Sequence, residues 1–396
     1  MSISPLHIVY VTNSIDFIGG IETVTFEKCN YFVSLGHRVT IVVSDSNGDN
    51  KIASRLDSRV SVVDTGTRLF EYNNRRNVWD RIRGLFKPIV LYCKLKRTLN
   101  AIAPDVVISV GKSEKFILPI IAMGKKWVVI REYHFDKNYR RQYAHFQDGD
   151  KVTRVLAAMV GYGIEHYVPL PSYDATVVLT RQDHEENWKL SRKVRVIPNP
   201  VSFCGKASPG TKEKIVVSLS RVIRVKRLDH LIKAWQMLHE HAPGWKLEIW
   251  GPSDGDYEEE LKRLIREMKL DNEVILCGPT YDAASVLSKS SIFAFSSAYE
   301  GFGLVLVEAM SCGLPCVSYT CPCGPKDIIS DGVDGLWVEN GNVEDMAEKL
   351  LVLIRDEKKR NAMGQAAIEK SRLFSMERIG AQWLTLFEEL LARKRK

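Results

Sequence analysis

The chain has 396 residues, more than one hydrophobic core usually supports, so two domains are expected. With 45% hydrophobic residues, 26% charged residues and a net charge of +8, its composition is that of a globular protein and excludes a fibrous or largely disordered chain. The charge is uneven: residues 1–200 carry 29 Lys and Arg against 20 Asp and Glu, and residues 201–396 carry 27 against 28. Twelve of those basic residues fall within 51–100, a zone suited to an anionic surface or an acidic substrate. No apolar run approaches the roughly 18 residues that cross a bilayer. Met1–Thr12 lacks the basic start and apolar core of a signal peptide, so a cytoplasmic location is expected.

Along the chain, short β-branched runs alternate with amphipathic stretches, the pattern of parallel sheets covered on both faces. Strands are predicted at His7–Thr12, Arg38–Val43, Val60–Val63, Asp105–Ser109, Trp127–Ile130, Ala175–Leu179 and Val194–Ile197. The first helix is predicted from about Glu22 to Leu35, with Gly36 as its C-terminal stop. Pro198, Pro200, Gly205, Ser208, Pro209 and Gly210 then mark a linker. Beyond it the alternation restarts, with strands at Ile215–Leu219, Lys246–Trp250, Glu273–Cys277, Ile292–Ser296 and Pro315–Tyr319. Helices are predicted at Leu228–His239, Tyr257–Met268, Ala283–Ser288, Leu304–Cys312, Val343–Arg355 and Glu377–Ala392. Two such arrays make two doubly wound parallel-sheet domains, whose ligands belong in the cleft beyond the carboxyl ends of the strands.

Cys312, Cys316, Cys321 and Cys323 lie within twelve residues, but their spacing matches no structural zinc pattern, so no metal site is assigned to them. Three segments carry chemistry. Ser297-Ala-Tyr-Glu300-Gly301-Phe302-Gly303-Leu304 follows a strand, and its two glycines let a ligand approach the backbone where a helix opens; Glu308 lies on that helix. The alternative is a capping box between Ser297 and Glu300. Arg221 and Lys226 follow another strand and have the chemistry to hold phosphate, against the alternative of a solvated basic loop. Gly19–Gly20 forms a third strand-to-helix turn, without the glycine spacing of dinucleotide-binding folds.

Glu300 to Glu308 resembles the Glu-x7-Glu motif of retaining glycosyltransferases of family 4 (glycosyl transferases group 1), including its Glu-Gly-Phe-Gly core. Arg221 and Lys226 resemble that family's Arg-x4-Lys pair, Gly19–Gly20 its N-terminal glycine loop, and Asp331–Leu336 its closing segment. The resemblance implies a GT-B fold, two α/β domains facing a cleft, at 1–203 (acceptor side) and 204–376 (nucleotide-sugar side), with helix 377–392 packing back on the first. It implies transfer of a hexosyl or N-acetylhexosaminyl group from a nucleotide-sugar, UDP-sugar first, to a saccharide or lipid-linked acceptor of surface polysaccharide or lipopolysaccharide. Arg221 and Lys226 would hold the diphosphate, and Glu300 the sugar hydroxyls with the backbone of Gly301, Phe302, Gly303 and Leu304. Glu308 would bind the ribose, and Gly19 and Gly20 would border the diphosphate. His134, beside Arg131, resembles a histidine that relatives set against the sugar. No cofactor, metal, nucleic acid or protein nucleophile is implied. A UDP-sugar epimerase on the same scaffold is the alternative.

Two departures stand out. Cys321-Pro-Cys-Gly324-Pro-Lys-Asp327 replaces the family's Gly-Gly loop and following Glu, and Asp254-Gly-Asp256 reads as a short metal-diphosphate motif foreign to this fold. Residues 75–99 read as a basic amphipathic helix, with Trp79, Ile82, Phe86, Ile89, Tyr92 and Leu95 among Arg75, Arg76, Arg81, Arg83, Lys87, Lys94, Lys96 and Arg97. Such a helix suits an anionic membrane surface at the inner face of the plasma membrane, or a core-packing role, and Pro88 is expected to kink or split it.

Overall fold

The computed structural model describes residues 4–15, 19–44, 55–67, 78–111, 114–135, 137–138, 172–189, 191–201, 212–253 and 255–395, with residues 78–87 described by backbone alone. Two wholly parallel sheets build the molecule. The first has β1 His7–Thr12, β2 Arg38–Val43, β3 Ser61–Asp64, β4 Val106–Ser109, β5 Val128–Glu132, β6 Ala175–Val178 and β7 Val194–Val196, in the order β3-β2-β1-β4-β5-β6-β7. The second has β8 Ile215–Leu219, β9 Lys246–Trp250, β10 Val274–Gly278, β11 Ile292–Phe295, β12 Cys316–Tyr319 and β13 Gly335–Val338, in the order β10-β9-β8-β11-β12-β13.

Burial on both faces explains the continuous apolar runs. In β1, Ile8 and Tyr10 join one core with Ile41, Ile108 and Ile130, while Val9 and Val11 join another on the opposite face with Val42, Val107 and Val129. Helix Gly20–Ser34 and helix Met376–Arg395 cover the first face together. Phe26, Phe32 and Val33 of the one meet Ile379, Trp383, Leu386 and Phe387 of the other, and the Phe32 and Phe387 rings lie 5.7 Å apart. Each such buried side chain contributes about 1.5–3 kcal/mol. Arg195 pairs with Glu389 at 2.9 Å and Lys394 with Asp174 at 3.1 Å, so the last helix is tied to the first sheet by charge as well.

Helix Val78–Ile102 covers the other face. Leu91, Leu95 and Leu99, four residues apart, are buried against Val9, Val11 and Leu118, whereas Ile89 is 59% exposed. Tyr92, half-buried, packs beside them, so of the expected Ile89–Tyr92–Leu95 row only Ile89 turns away from the core. Pro88 does not split the helix as expected; the one hydrogen bond it forgoes is offset by the leucine packing downstream. Arg75 and Arg76, and the side chains of Trp79, Arg81, Ile82, Arg83, Phe86 and Lys87, lie outside the described residues.

Strand β13 and helix Glu357–Ser371 escaped the sequence reading. β13 is only Gly-Leu-Trp-Val, preceded by the turn formers Asp331, Gly332 and Asp334; its register Cys316↔Gly335 brings the backbones so close that a Cβ on Gly335 would stand 2.6 Å from the Cys316 carbonyl oxygen.

Candidate active site

In an open parallel sheet, ligands bind where the strand order reverses. That point lies between β8 and β11 in the second sheet and between β1 and β4 in the first. The loops leaving β8 and β11 are those holding Arg221, Lys226 and Glu300, and the loop leaving β1 ends at Gly19–Gly20.

After β8 the chain turns through the 3-10 segment Arg224–Lys226 and enters helix Leu228–Leu238 through Arg227 in the left-handed region (φ 46°). The turn is locked to the neighbouring loop: Ala298 N–H donates to the Val225 carbonyl, and the Ser296 hydroxyl donates to the Lys226 carbonyl at 2.7 Å. The Lys226 ammonium thereby meets the Glu300 carboxylate in an ion pair with side chains 16% and 15% exposed. Arg221 is exposed and makes no side-chain hydrogen bond or ion pair among the described residues. Arg224, by contrast, faces outward, bidentate to Glu260 at 2.6 and 2.8 Å. Glu300 thus pairs with Lys226, the helix opens at Gly303 rather than at Ser297, and no capping box forms.

Two glycines of this loop are required by space. A Cβ on Gly301 would stand 2.2 Å from the His134 carbonyl oxygen, across the cleft, and Gly303 opens helix Leu304–Ser311 at φ 90°. Phe302 between them is buried edge-to-face on Phe374 at 5.8 Å. Leu304 then reaches over to Gly20, where a Cβ would lie 3.1 Å from Leu304 Cδ1. Gly19 caps helix Gly20–Ser34 with its N–H donated to the Glu22 carboxylate at 3.1 Å. Glu308 is half-buried within helix Leu304–Ser311. Gly20, Leu304, Gly301, His134, Glu300 and Lys226 consequently form one continuous wall-to-wall contact across the cleft.

His134 is buried, its side chain 4% exposed. Burial pulls its imidazole down to about 4, against the opposing pull of Glu132, so the ring is neutral at neutral pH. Arg131 is committed to the wall of the first domain: it donates to the Ser109 hydroxyl and the Gly111 carbonyl at 2.6 Å each and lies 3.5 Å from Glu114. Burial pushes the Glu114 carboxyl up, opposed by Arg131 and Ser109. Sequence reasoning missed the buried pair Lys28–Glu132; its one trace was a lysine on the helix face that also carries Val24 and Phe32.

The Cys321–Asp327 loop turns to the first domain. The Asp327 carboxylate accepts from the N–H groups of Arg181 (3.1 Å) and Gln182 (3.2 Å), and Gln182 Oε1 accepts from Cys323 N–H at 3.3 Å. Gly324 (φ 124°) rests on the Phe302 carbonyl, where a Cβ would come within 1.9 Å. Cys312, Cys316, Cys321 and Cys323 are all buried, and among the described residues no group of His, Cys, Asp and Glu has the arrangement of a metal site. Asp254 lies outside the described residues, and Asp256 begins helix Asp256–Glu267.

Two family models match the chain: Glycosyltransferase Family 4 over residues 18–203 and Glycosyl transferases group 1 over residues 205–370. An exopolysaccharide phosphotransferase of Streptomyces coelicolor is 34% identical over 57% of this chain and 24% of its own length. A poly(ribitol-phosphate) alpha-N-acetylglucosaminyltransferase of Staphylococcus aureus is 31% identical over 53% of this chain and 41% of its own length. The chain thus spans less than half the length of these two relatives. Among solved structures, Anabaena Alr3699/HepE in complex with UDP and glucose superposes with a TM-score of 0.74 at 18% identity, covering 97% of this chain and 100% of that one. With both halves matched in order and the paired α/β domains in place, the chain belongs to glycosyltransferase family 4, the glycosyl transferases group 1, with the GT-B fold.

Proposed function

We propose that this protein transfers a hexosyl or N-acetylhexosaminyl group from a UDP-sugar to a hydroxyl of a saccharide or lipid-linked saccharide, with retention of anomeric configuration, in the assembly of a surface polysaccharide or lipopolysaccharide. The observation that carries the reading is the Lys226–Glu300 pair at the β8/β11 switch, directly across the cleft from Gly20 and His134. It is supported by the UDP and glucose in complex with HepE and by the named N-acetylglucosaminyl transfer of the Staphylococcus aureus relative.

In this reading Arg221 and Lys226 neutralise the donor diphosphate as its bond to the sugar C1 breaks and the electron pair leaves with UDP. Glu300, released from Lys226 by the incoming phosphate, takes sugar hydroxyls, and the N–H groups of Gly301, Phe302 and Gly303 line the same face. Glu308 binds the ribose. The acceptor oxygen bonds to C1 on the face the diphosphate leaves, and its proton passes to a phosphate oxygen of that leaving group, so no protein nucleophile is used. Because Arg221 and Lys226 supply the positive charge, EDTA is expected to leave transfer largely intact, and loss of activity restored by Mn2+ would overturn this.

The test incubates the protein with UDP-glucose, UDP-galactose and their N-acetylated counterparts, with and without saccharide and lipid-linked acceptors, and follows UDP release and the product's anomeric coupling by NMR. Acceptor-dependent UDP release with a retained linkage is expected. An inverted linkage, or interconversion of free UDP-sugars without acceptor, overturns the proposal.

A further inference from the structure

Beneath the cleft wall of the first domain lies a group of charged side chains with no water-facing surface. Lys28, on helix Gly20–Ser34, is fully buried; its ammonium donates to Oε1 of Glu132 at the end of β5, and Glu132 is 1% exposed. The ammonium also lies 4.8 Å from the Trp383 ring centroid and 5.5 Å from that of Tyr10. The same Glu132 oxygen stands 3.7 Å from Nε2 of His134, just outside hydrogen-bond length. Both ring nitrogens of His134, the second Glu132 oxygen and the Tyr10 hydroxyl have no hydrogen-bond partner among the described residues.

A buried ion pair seldom adds stability over an apolar replacement, so a pair placed here needs another reason. Its position supplies one. His134 is the residue whose carbonyl touches Gly301 of the sugar-side loop, and its neutral ring has one N–H and one lone pair to place. A carboxylate can only accept, so Glu132 held ionised beside Nε2 draws the imidazole proton to Nε2 and leaves Nδ1 as the acceptor. Lys28 is what keeps Glu132 ionised: burial alone pushes its carboxyl up, and the charge of Lys28, with Arg131 behind it, brings it below the ordinary value. A protonated Glu132 would donate instead and reverse the ring.

We infer that Lys28 and Glu132 are positioning residues that set the tautomer and orientation of His134, with the ring proton on Nε2 and Nδ1 left as the acceptor, at the wall that meets Gly301. The inference rests on the proposed transfer reaction only for its effect on the rate. The charged and titratable groups acting on the ring are Glu132 and Arg131 on β5 and Lys28 on the facing helix.

The tautomer is readable without substrate. In protein labelled with 15N-histidine, the His134 ring is assigned as the signal lost in His134→Gln, and it is expected to stay neutral with its proton on Nε2 from about pH 8 to about pH 5. The wild-type spectrum needs no variant: an Nδ1–H tautomer, or a mixture, overturns the inference. In Lys28→Met/Glu132→Leu, which replaces both charges by apolar groups, the ring is expected to become a tautomer mixture; an unchanged ring also overturns it. In the transfer assay the same double variant loses about tenfold to hundredfold in kcat with little change in KM for the UDP-sugar. Made in a His134→Gln background, the double change costs nothing further; an additive loss would assign the pair to folding alone. Failure to find any transfer sinks the proposed function while the spectra still decide the positioning.

Discussion

In the proposed reaction Lys226 is the residue that bears most directly on the diphosphate, because its ammonium is largely enclosed and already held to an anion. Lys226→Ala removes one charged contact to a phosphate, worth about 1.5–3 kcal/mol, so kcat/KM is expected to fall at least about tenfold in steady-state assays. Wild-type kinetics in a folded variant would remove it from the site. His134 has a consequence for stability. Its folded-state value is depressed to about 4 by burial, while in the unfolded chain the ring titrates near 6.5. Below 6.5 the unfolded chain therefore takes up the proton first, and stability falls as the pH drops from 6.5 toward 4, by about 3 kcal/mol in full. His7, His37 and His230, each pulled down chiefly by burial, add to the slope in the same direction. Urea unfolding across this range should show a shallower decline for His134→Gln than for wild type; equal slopes would mean that His134 is not the source. Glu300, Gly301 and Lys226 are singled out in the sequence by the family motifs they resemble; that Lys226 and Glu300 meet, 74 positions apart, is seen only in the fold. The Lys28–Glu132 pair belongs to no such motif, and its members, 104 positions apart, are joined only by the folded sheet.

At the scale of elements, the loop Glu300–Gly303 is held between two backbones, the His134 carbonyl on one side and Gly324 on the other. Gly301→Ala places a methyl group 2.2 Å from that carbonyl, too close for either wall to absorb without separating. A displacement of about 1 Å between reacting groups costs on the order of a hundredfold, so kcat/KM should drop by that order while thermal unfolding stays cooperative. An unchanged rate would show that the two walls need not touch during turnover. The alternation of β-branched runs made most strands readable to within a residue, β1, β2, β8 and β9 to the residue. The failures have physical reasons. β13 hides among turn formers, and helix Glu357–Ser371 buries only Met363, Gly364, Ala367 and Ser371, too small a face to show a hydrophobic period. In Val78–Ile102 the core takes Tyr92 and Leu95 from the expected stripe and adds Leu91 and Leu99, while Ile89 faces outward.

For the whole molecule, no helix among the described residues is long and apolar enough to cross a membrane. We propose peripheral docking on an anionic leaflet, from the basic excess within residues 51–100 of the sequence and the exposure of Ile89 and Val90 on helix Val78–Ile102. Flotation with vesicles should recover the protein on anionic lipid only, and less of it as salt rises or when Arg75, Arg76, Arg81 and Arg83 are neutralised. Recovery indifferent to lipid charge would defeat that reading. A different consequence follows from the last helix, whose Ile379, Trp383 and Phe387 complete the core begun by β1 and helix Gly20–Ser34. During synthesis β1 and helix Gly20–Ser34 must wait, with Tyr10 and Phe32 uncovered, until helix Met376–Arg395 has left the ribosome. The domain made second has all of its strands in hand before the domain made first can close. The second sheet and its helices are thus expected to fold first and to serve as the platform on which the first is finished.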